Sequence, residues 1–278
     1  MVLRMILVTG ATGNIGKHLV RELEGKARVR VLVRDAAKAP ANVDVAVGDL
    51  DDARSVAAAL AGIETAFMLC GTPAQEATFL AAAKDAGVRR IVMLSSGGVP
   101  FGVGGGPAHT AGEEALRASA FRWTILRPFE FMSNALFWAV TVRAQGAVYE
   151  PAGTGKTPLI DPRDIAEVAA RVLLEPDAHD GKTYELTGPA AIDRAEMVAA
   201  LAERIGKPVR YVDVPEAAFE DQMRSMGLPP FVLSGLMGYY RMVREGKLTE
   251  TRPDVARVLG RPARSWNYWL AENAAAFT

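Results

Sequence analysis

The chain has 278 residues, half of them hydrophobic, and its 32 basic side chains are balanced by 32 acidic ones. This composition excludes a disordered chain, and with no cationic surplus to neutralise phosphates it excludes nucleic-acid binding as the main task. A single cysteine, Cys70, excludes an internal disulfide framework and fits a reducing cytoplasm.

The first apolar run stops at Gly10, too short for a targeting segment, where a structural motif begins. Residues 5–9 read as a strand. Residues 14–24 read as a helix with Ile15, Leu19 and Leu23 on one face. Strands follow at 28–33 and 43–47, then a short helix at 51–60 opened by acidic residues, which suit the positive end of a helix dipole. Three more strands are expected at 64–69, 90–94 and 122–126, separated by helices at 73–87 and 108–119. Pro73 sits where a first-turn proline is tolerated, and Gly87 where a terminal glycine is favoured. Strands alternating with helices of this length imply crossover units and a parallel sheet. Between the fifth strand and the next helix, residues 97–107 hold Gly97, Gly98, Gly102, Gly104, Gly105 and Gly106, which predicts a mobile loop.

The pattern loosens after Pro128. Residues 129–142 are apolar but interrupted by Glu130, Ser133 and Asn134, and are too few to span a bilayer, which needs roughly 20. A helix is expected at 164–174, a strand at 182–186, a helix at 193–205 begun by an aspartate and ended by Gly206, and a strand at 209–214. From Pro215 onward the chain reads as mainly helical. The expected fold is α/β, a Rossmann-type doubly wound parallel sheet with a small, mainly helical carboxyl-terminal lobe. Residues 1–150 are expected to form the Rossmann-type domain, its sheet completed by parts of 151–190, and 151–278 the smaller lobe. The protein is expected to be cytoplasmic, with no membrane partner; monomer and homodimer are both left open.

The strongest chemical signal is Gly10-Ala-Thr12-Gly13-Asn14-Ile15-Gly16, placed as the first strand-to-helix turn. In such a turn the first glycine allows a tight reversal, the second lets backbone approach a pyrophosphate, and the third lets helix pack on strand. Amide groups and the helix dipole then meet phosphate charge. The spacing is G-x-x-G-x-x-G rather than G-x-G-x-x-G. The second strand should end beside the adenosine ribose. An acidic residue there would bond a 2′-hydroxyl, whereas Arg34 comes first, followed by Asp35, with Lys38 near. Arginine pairs well with phosphate, so NADP(H) is favoured over NAD(H). Asp49 and Leu50 follow the third strand and would flank the adenine, although Asp49 could equally cap the next helix. Cys70-Gly71, Ser95 and Pro128 end the later strands, where a cofactor would cross the sheet edge.

Two look-alike motifs fail. Gly153-Thr-Gly-Lys-Thr157 resembles a phosphate loop, but position 150 is Glu150, and Pro158 follows where a helix should begin. Tyr239, Tyr240, Arg241 and Arg244 fit a helix surface better than a nucleic-acid patch. His18, His109 and His179 lack ligand spacing, so no metal is expected.

The chain resembles the NmrA-like atypical short-chain dehydrogenases, and within them the type 2 quinone oxidoreductases. The resemblance spans nearly the whole length. It rests on Val8 through Gly16, Leu32-Val-Arg-Asp35, Gly48-Asp-Leu50, His109 with Glu113 and Leu116, and Leu126-Arg-Pro128 with Phe131, Met132 and Asn134. It continues through Gly153-Thr-Gly-Lys156, Asp164-Ile-Ala166 and Gly181 to Leu186. It implies NADP(H) binding by the amino-terminal domain, a cleft towards a small carboxyl lobe, and no flavin.

Ordinary short-chain dehydrogenases carry Tyr-x-x-x-Lys on the helix before the sixth strand. Here that place holds His109-Thr-Ala-Gly-Glu113, and none of the six tyrosines is followed by lysine four residues later. His109 is the best-placed proton donor, and Glu113, one helical turn on, could orient it; a loop-edge histidine beside a surface glutamate fits the pattern as well. Phe101, Phe129, Phe131 and Met132 could form a platform for a flat substrate, though each would also suit a core. The expected activity is NADPH-dependent hydride transfer to a small aromatic, quinone-like or conjugated carbonyl acceptor. Two alternatives are a non-catalytic NADP(H) sensor of the NmrA type and a tailoring reductase for a polycyclic aromatic metabolite.

Overall fold

A computed structural model of the chain describes residues 4–278. In chain order the first elements are β1 (Met5–Thr9), α1 (Gly16–Leu23), β2 (Arg28–Val33), β3 (Asp44–Val47), α2 (Ala53–Leu60), β4 (Thr65–Met68), α3 (Pro73–Asp85), β5 (Arg90–Leu94), α4 (Gly106–Arg117) and β6 (Arg122–Pro128). Strands β1 to β6 pair in parallel in the order β3-β2-β1-β4-β5-β6, and the strand Lys182–Leu186 lies beside β6 to complete seven. The order reverses between β1 and β4. In a doubly wound sheet the crevice at the carboxyl ends of those two strands is where ligands bind.

The residue types account for these elements. Strands β4 and β5 are buried along their whole length, so their apolar runs do not alternate, as expected for central strands covered by helices on both faces. Edge strand β3 is mostly exposed. Helix α2 starts two residues later than expected because Asp52 caps it, accepting the Arg54 N–H at 3.0 Å. Helix α3 is capped by Thr72 and begins with Pro73; Gly87, at φ +75°, follows its end. The core beneath this side of the sheet gathers Leu7, Leu60, Ile63, Phe79, Ile91 and Ile125, all nearly inaccessible. If each such side chain contributes about 2 kcal/mol on burial, this cluster dominates the stability of the region.

The chain forms two compact units, each assembled from separate stretches. The first comprises residues up to Ser96, Ala108–Pro128 and Pro162–Glu185; the second comprises Gly97–Pro107, Phe129–Asp161 and Leu186–Thr278. The second has no large sheet. Its Ala147–Glu150 strand pairs in parallel with Arg210–Asp213, and Lys156–Thr157 pairs antiparallel with Ile192–Asp193. The Arg194–Ile205 helix opens with a capping box, Asp193 and Glu196 each accepting the other's N–H at 2.8 Å. A core of Trp138, Trp266, Trp269, Met197 and Phe277 holds this unit together.

One expectation changes here. The glycine-rich stretch is a packed turn: Val99–Phe101 form a 3-10 turn, and the Gly104 N–H donates to the Gly235 carbonyl at 2.8 Å. A Cβ at Gly235 would lie 2.3 Å from the Gly104 oxygen, so the small residues serve a close backbone crossing. The apolar residues 129–142 become a 3-10 segment, Met132–Trp138, running into the helix Ala139–Gln145. Among the described residues, no helix is long and apolar enough to cross a membrane.

Candidate functional site

The turn from β1 into α1 has the form its glycines require. Gly10 has φ +66°, a conformation that side-chain-bearing residues resist, and its carbonyl accepts the Gly13 N–H at 3.0 Å. A Cβ at Gly16 would lie 2.1 Å from the Gly10 oxygen and 2.6 Å from the Ala11 Cα, so only glycine lets the helix start this close to the strand. At Gly13 a Cβ would meet one atom, at 3.3 Å; here the missing side chain keeps the outer face of the turn open. Buried Ile15 anchors the turn while Thr12, Gly13 and Asn14 stay exposed. No side chain caps α1; its Lys17 and His18 N–H groups donate to the Gly13 and Ile15 carbonyls, and the amides of the turn before them are left for an outside acceptor. Such a cradle fits a diphosphate. The Thr9 hydroxyl steadies its base, donating to the Leu69 carbonyl at 2.9 Å and accepting the Leu69 N–H at 2.7 Å, which ties β1 to β4 at the strand-order reversal.

At the end of β2 the two charged neighbours have different fates. Asp35 caps the short turn Ala36–Lys38, accepting the Ala37 N–H at 3.0 Å. Arg34 and Lys38 are exposed and make no ion pair among the described residues. Asp49 accepts the Asp51 N–H at 3.0 Å and leaves helix capping to Asp52. Its backbone is bonded on both sides to the Ser55 hydroxyl, which packs where a Cβ on Gly48 would fall, 2.4 Å from the Ser55 Cβ. Leu50 is half-buried against the core. Ser55 went unnoticed in the sequence; the glycine preceding Asp49 was its one trace.

The carboxyl ends of β4 to β6 carry a polar cluster. Burial first, and the Glu76 charge second, push the Cys70 thiol up to about 12, so it stays protonated and inert. Gly71 is exposed, its N–H donating to the Gln75 side chain at 2.9 Å, and Pro128 is buried. Ser95 donates to Glu113 at 2.5 Å. Glu113 also receives a fork from Arg127 at 2.8 and 2.5 Å, and Arg117 at 3.1 Å. Burial opposes charge on Glu113, but the bonds from Arg127, Ser95 and Arg117 outweigh it and hold the carboxyl below the usual range.

Glu113 is therefore not the partner of His109. The His109 Nδ1 lies 2.5 Å from an oxygen of Glu76, on α3. One helical turn made His109 and Glu113 neighbours on α4, but Arg127 on β6 draws the glutamate one way and Glu76 draws the histidine another. Glu76 did leave a signal. It shares the spacing of Phe79, Leu80 and Ala83 along α3, which puts a carboxylate on the buried stripe of its helix.

The four residues expected to meet substrate all belong to the second unit or its edge. Phe101 is 39% exposed. Phe129 lies over Gly97, where a Cβ would come 2.4 Å from its ring, and packs on the cluster around Phe219, Leu233 and Tyr240. Phe131 bridges to Ile160 through backbone, and Met132 is buried in the tryptophan core. That unit also encloses a charged centre the sequence did not reveal. Arg194, fully buried, bonds Glu130 at 2.7 Å and Glu150 at 2.5 Å, and Tyr239 donates to Glu130. Among the described residues no group of three His, Cys, Asp or Glu could hold a metal.

Comparison with known proteins places this geometry in context. The family described as NAD(P)H-binding matches residues 10–176. An NAD(P)H azoreductase of Xenophilus azovorans is 37% identical over 98% of this chain and 99% of its own. A (4-alkanoyl-5-oxo-2,5-dihydrofuran-3-yl)methyl phosphate reductase of Streptomyces griseus is 34% identical over 98% and 99%. An Escherichia coli NADPH-dependent quinone oxidoreductase, solved with NADPH, superposes with a TM-score of 0.85 at 28% identity, covering 97% of this chain and 99% of that one.

Proposed function

Because the chain belongs to the NAD(P)H-binding family, we propose that it is an NADPH-dependent oxidoreductase passing hydride to a quinone or a related conjugated acceptor. The observation that carries the reading is the glycine turn, with its open outer face, uncapped helix start and glycine-only contact at Gly16. The names of the relatives support the acceptor class: an azo compound, a quinone and an unsaturated lactone are all conjugated, electron-poor acceptors.

Preference for the phosphorylated cofactor follows from the charges after β2. Asp35 is engaged by its own backbone turn, and exposed Arg34 and Lys38 are available to a 2′-phosphate. When bound, NADPH supplies a hydride at its nicotinamide ring. The chain's own tasks are to bind the diphosphate at Gly10–Gly16, hold the adenosine end by Arg34, and set the acceptor in place. A quinone needs little acid help, so a histidine can replace the usual tyrosine and lysine. His109 is the proton donor in this reading.

Steady-state oxidation of NADPH against a panel of benzoquinones, naphthoquinones and azo dyes tests the proposal. Acceptor-dependent turnover is expected, with NADPH the better donor. Oxidation no faster than background with every acceptor would overturn it.

A further inference from the structure

The geometry points to a second role on α3: we infer that Glu76 is the positioning residue for His109, fixing which ring nitrogen gives up a proton. The inference rests on the reading of His109 as donor, and gives Glu76 the orienting role that the sequence pattern had offered to Glu113.

Three observations converge. Glu76 is 1% exposed, yet it sits on an apolar helix stripe, where a carboxylate is costly unless it serves a partner. One of its oxygens lies 2.5 Å from His109 Nδ1, and the other is buried with no hydrogen bond among the described residues. Buried polar atoms are nearly always paired, so an orphaned oxygen is a departure that folding alone does not favour. The surroundings also make room for it. A Cβ at Gly112 would fall 1.9 Å from that orphaned oxygen, so α4 carries glycine where the glutamate enters. Glu113, the acid one turn from His109 on α4, is already committed to Arg127, Ser95 and Arg117.

A carboxylate accepts but cannot donate, so its bond to Nδ1 requires a proton there. The neutral ring is then held as the Nδ1–H tautomer, and Nε2 becomes the nitrogen that exchanges protons. His109 remains 16% exposed, so the ring is reachable. In the protonated ring both nitrogens carry hydrogen, and as hydride from NADPH reaches the acceptor, the acceptor's oxygen takes the proton from Nε2. The N–H bond breaks, an O–H bond forms, and the ring is left neutral with Nδ1–H still on Glu76. A proton taken up from solvent then returns to Nε2. The arrangement parallels carboxylate–histidine pairs, in which the acid orients the ring and stays ionised itself.

The test uses the intact protein with Glu76→Leu, Glu76→Gln and Gly112→Ala. Without cofactor, nitrogen-15 shifts of the His109 ring at alkaline pH should report Nδ1–H in the wild type, lost in Glu76→Leu. With NADPH and a quinone, Glu76→Leu should lower kcat about 10-fold or more with the acceptor KM changed less than about twofold, the scale of an outer-shell partner of a histidine. Glu76→Gln, which keeps an acceptor oxygen, should recover part of kcat. Gly112→Ala should lower kcat by displacing the glutamate, although alanine favours the helix. An unchanged tautomer and unchanged kcat in Glu76→Leu would overturn the inference while leaving the oxidoreductase reading intact. Absence of turnover in the wild type would overturn that reading, and the ring shifts would still decide whether Glu76 positions His109.

Discussion

Two buried glutamates in the first unit, Glu113 and Glu76, have different surroundings. Glu113 receives bonds from Ser95, Arg117 and both arms of Arg127, and its charge is compensated within the protein. Glu76 has His109 on one oxygen and no hydrogen bond among the described residues on the other. A fully satisfied buried carboxylate behaves as structure, stapling α4 to β6. A half-satisfied one contributes little to stability and marks a place kept for another purpose. The same contrast separates Asp35, engaged by its own turn, from exposed Arg34 beside it, which makes no ion pair among the described residues.

The contrast can be broken or sharpened by substitution. Glu113→Leu should have the largest effect, about 3 kcal/mol of lost stability in denaturant unfolding, because it strands the Arg127 guanidinium. Its pH signature has a definite sign. The folded Glu113 carboxyl lies below its ordinary value, so its contribution is present above the unfolded pKa, about 4.3, and disappears as pH falls through the lower folded value. Stability curves of wild type and Glu113→Gln should therefore converge in acid; parallel curves would refute the assignment.

Gly16→Ala comes next, since the new Cβ would strike backbone rather than a movable side chain. A loss of about 2 kcal/mol in stability is expected, together with weaker NADPH binding by calorimetry. Arg34→Ala should raise the Kd for NADPH about 10-fold and barely change that for NADH, the scale of one charge-assisted phosphate contact. Equal effects on both would remove the phosphate assignment. Ser95→Ala deletes one of several bonds to Glu113 and should cost about 1 kcal/mol. Smallest of all, Glu76→Leu should change unfolding stability by less than about 1 kcal/mol, because an apolar side chain replaces a carboxylate with an orphaned oxygen. A large loss there would make Glu76 another staple and erase the distinction.

The parallel-sheet half was legible to within a residue or two. Strands β1, β2 and β5 occupy the expected residues, since buried β-branched runs between capping signals leave few alternatives. Helix edges shifted where capping decided them, as at Asp52. The second unit was harder. The strand Ala147–Glu150 has no partner near it in sequence and exists through Arg210–Asp213, far down the chain. The glycine-rich stretch read as loose because composition does not reveal the Gly235 backbone that crosses it.

By itself the sequence determined the sheet, the glycine turn and the charges flanking it, because each depends on residues adjacent in the chain and on local backbone sterics. Only tertiary structure decided that His109 belongs with Glu76, that Glu113 belongs with Arg127, and that Arg194 lies buried between Glu130 and Glu150. Which charges meet is set by helices and strands packing across long sequence separations. A helical spacing of four names the candidates, and desolvation with geometry selects among them.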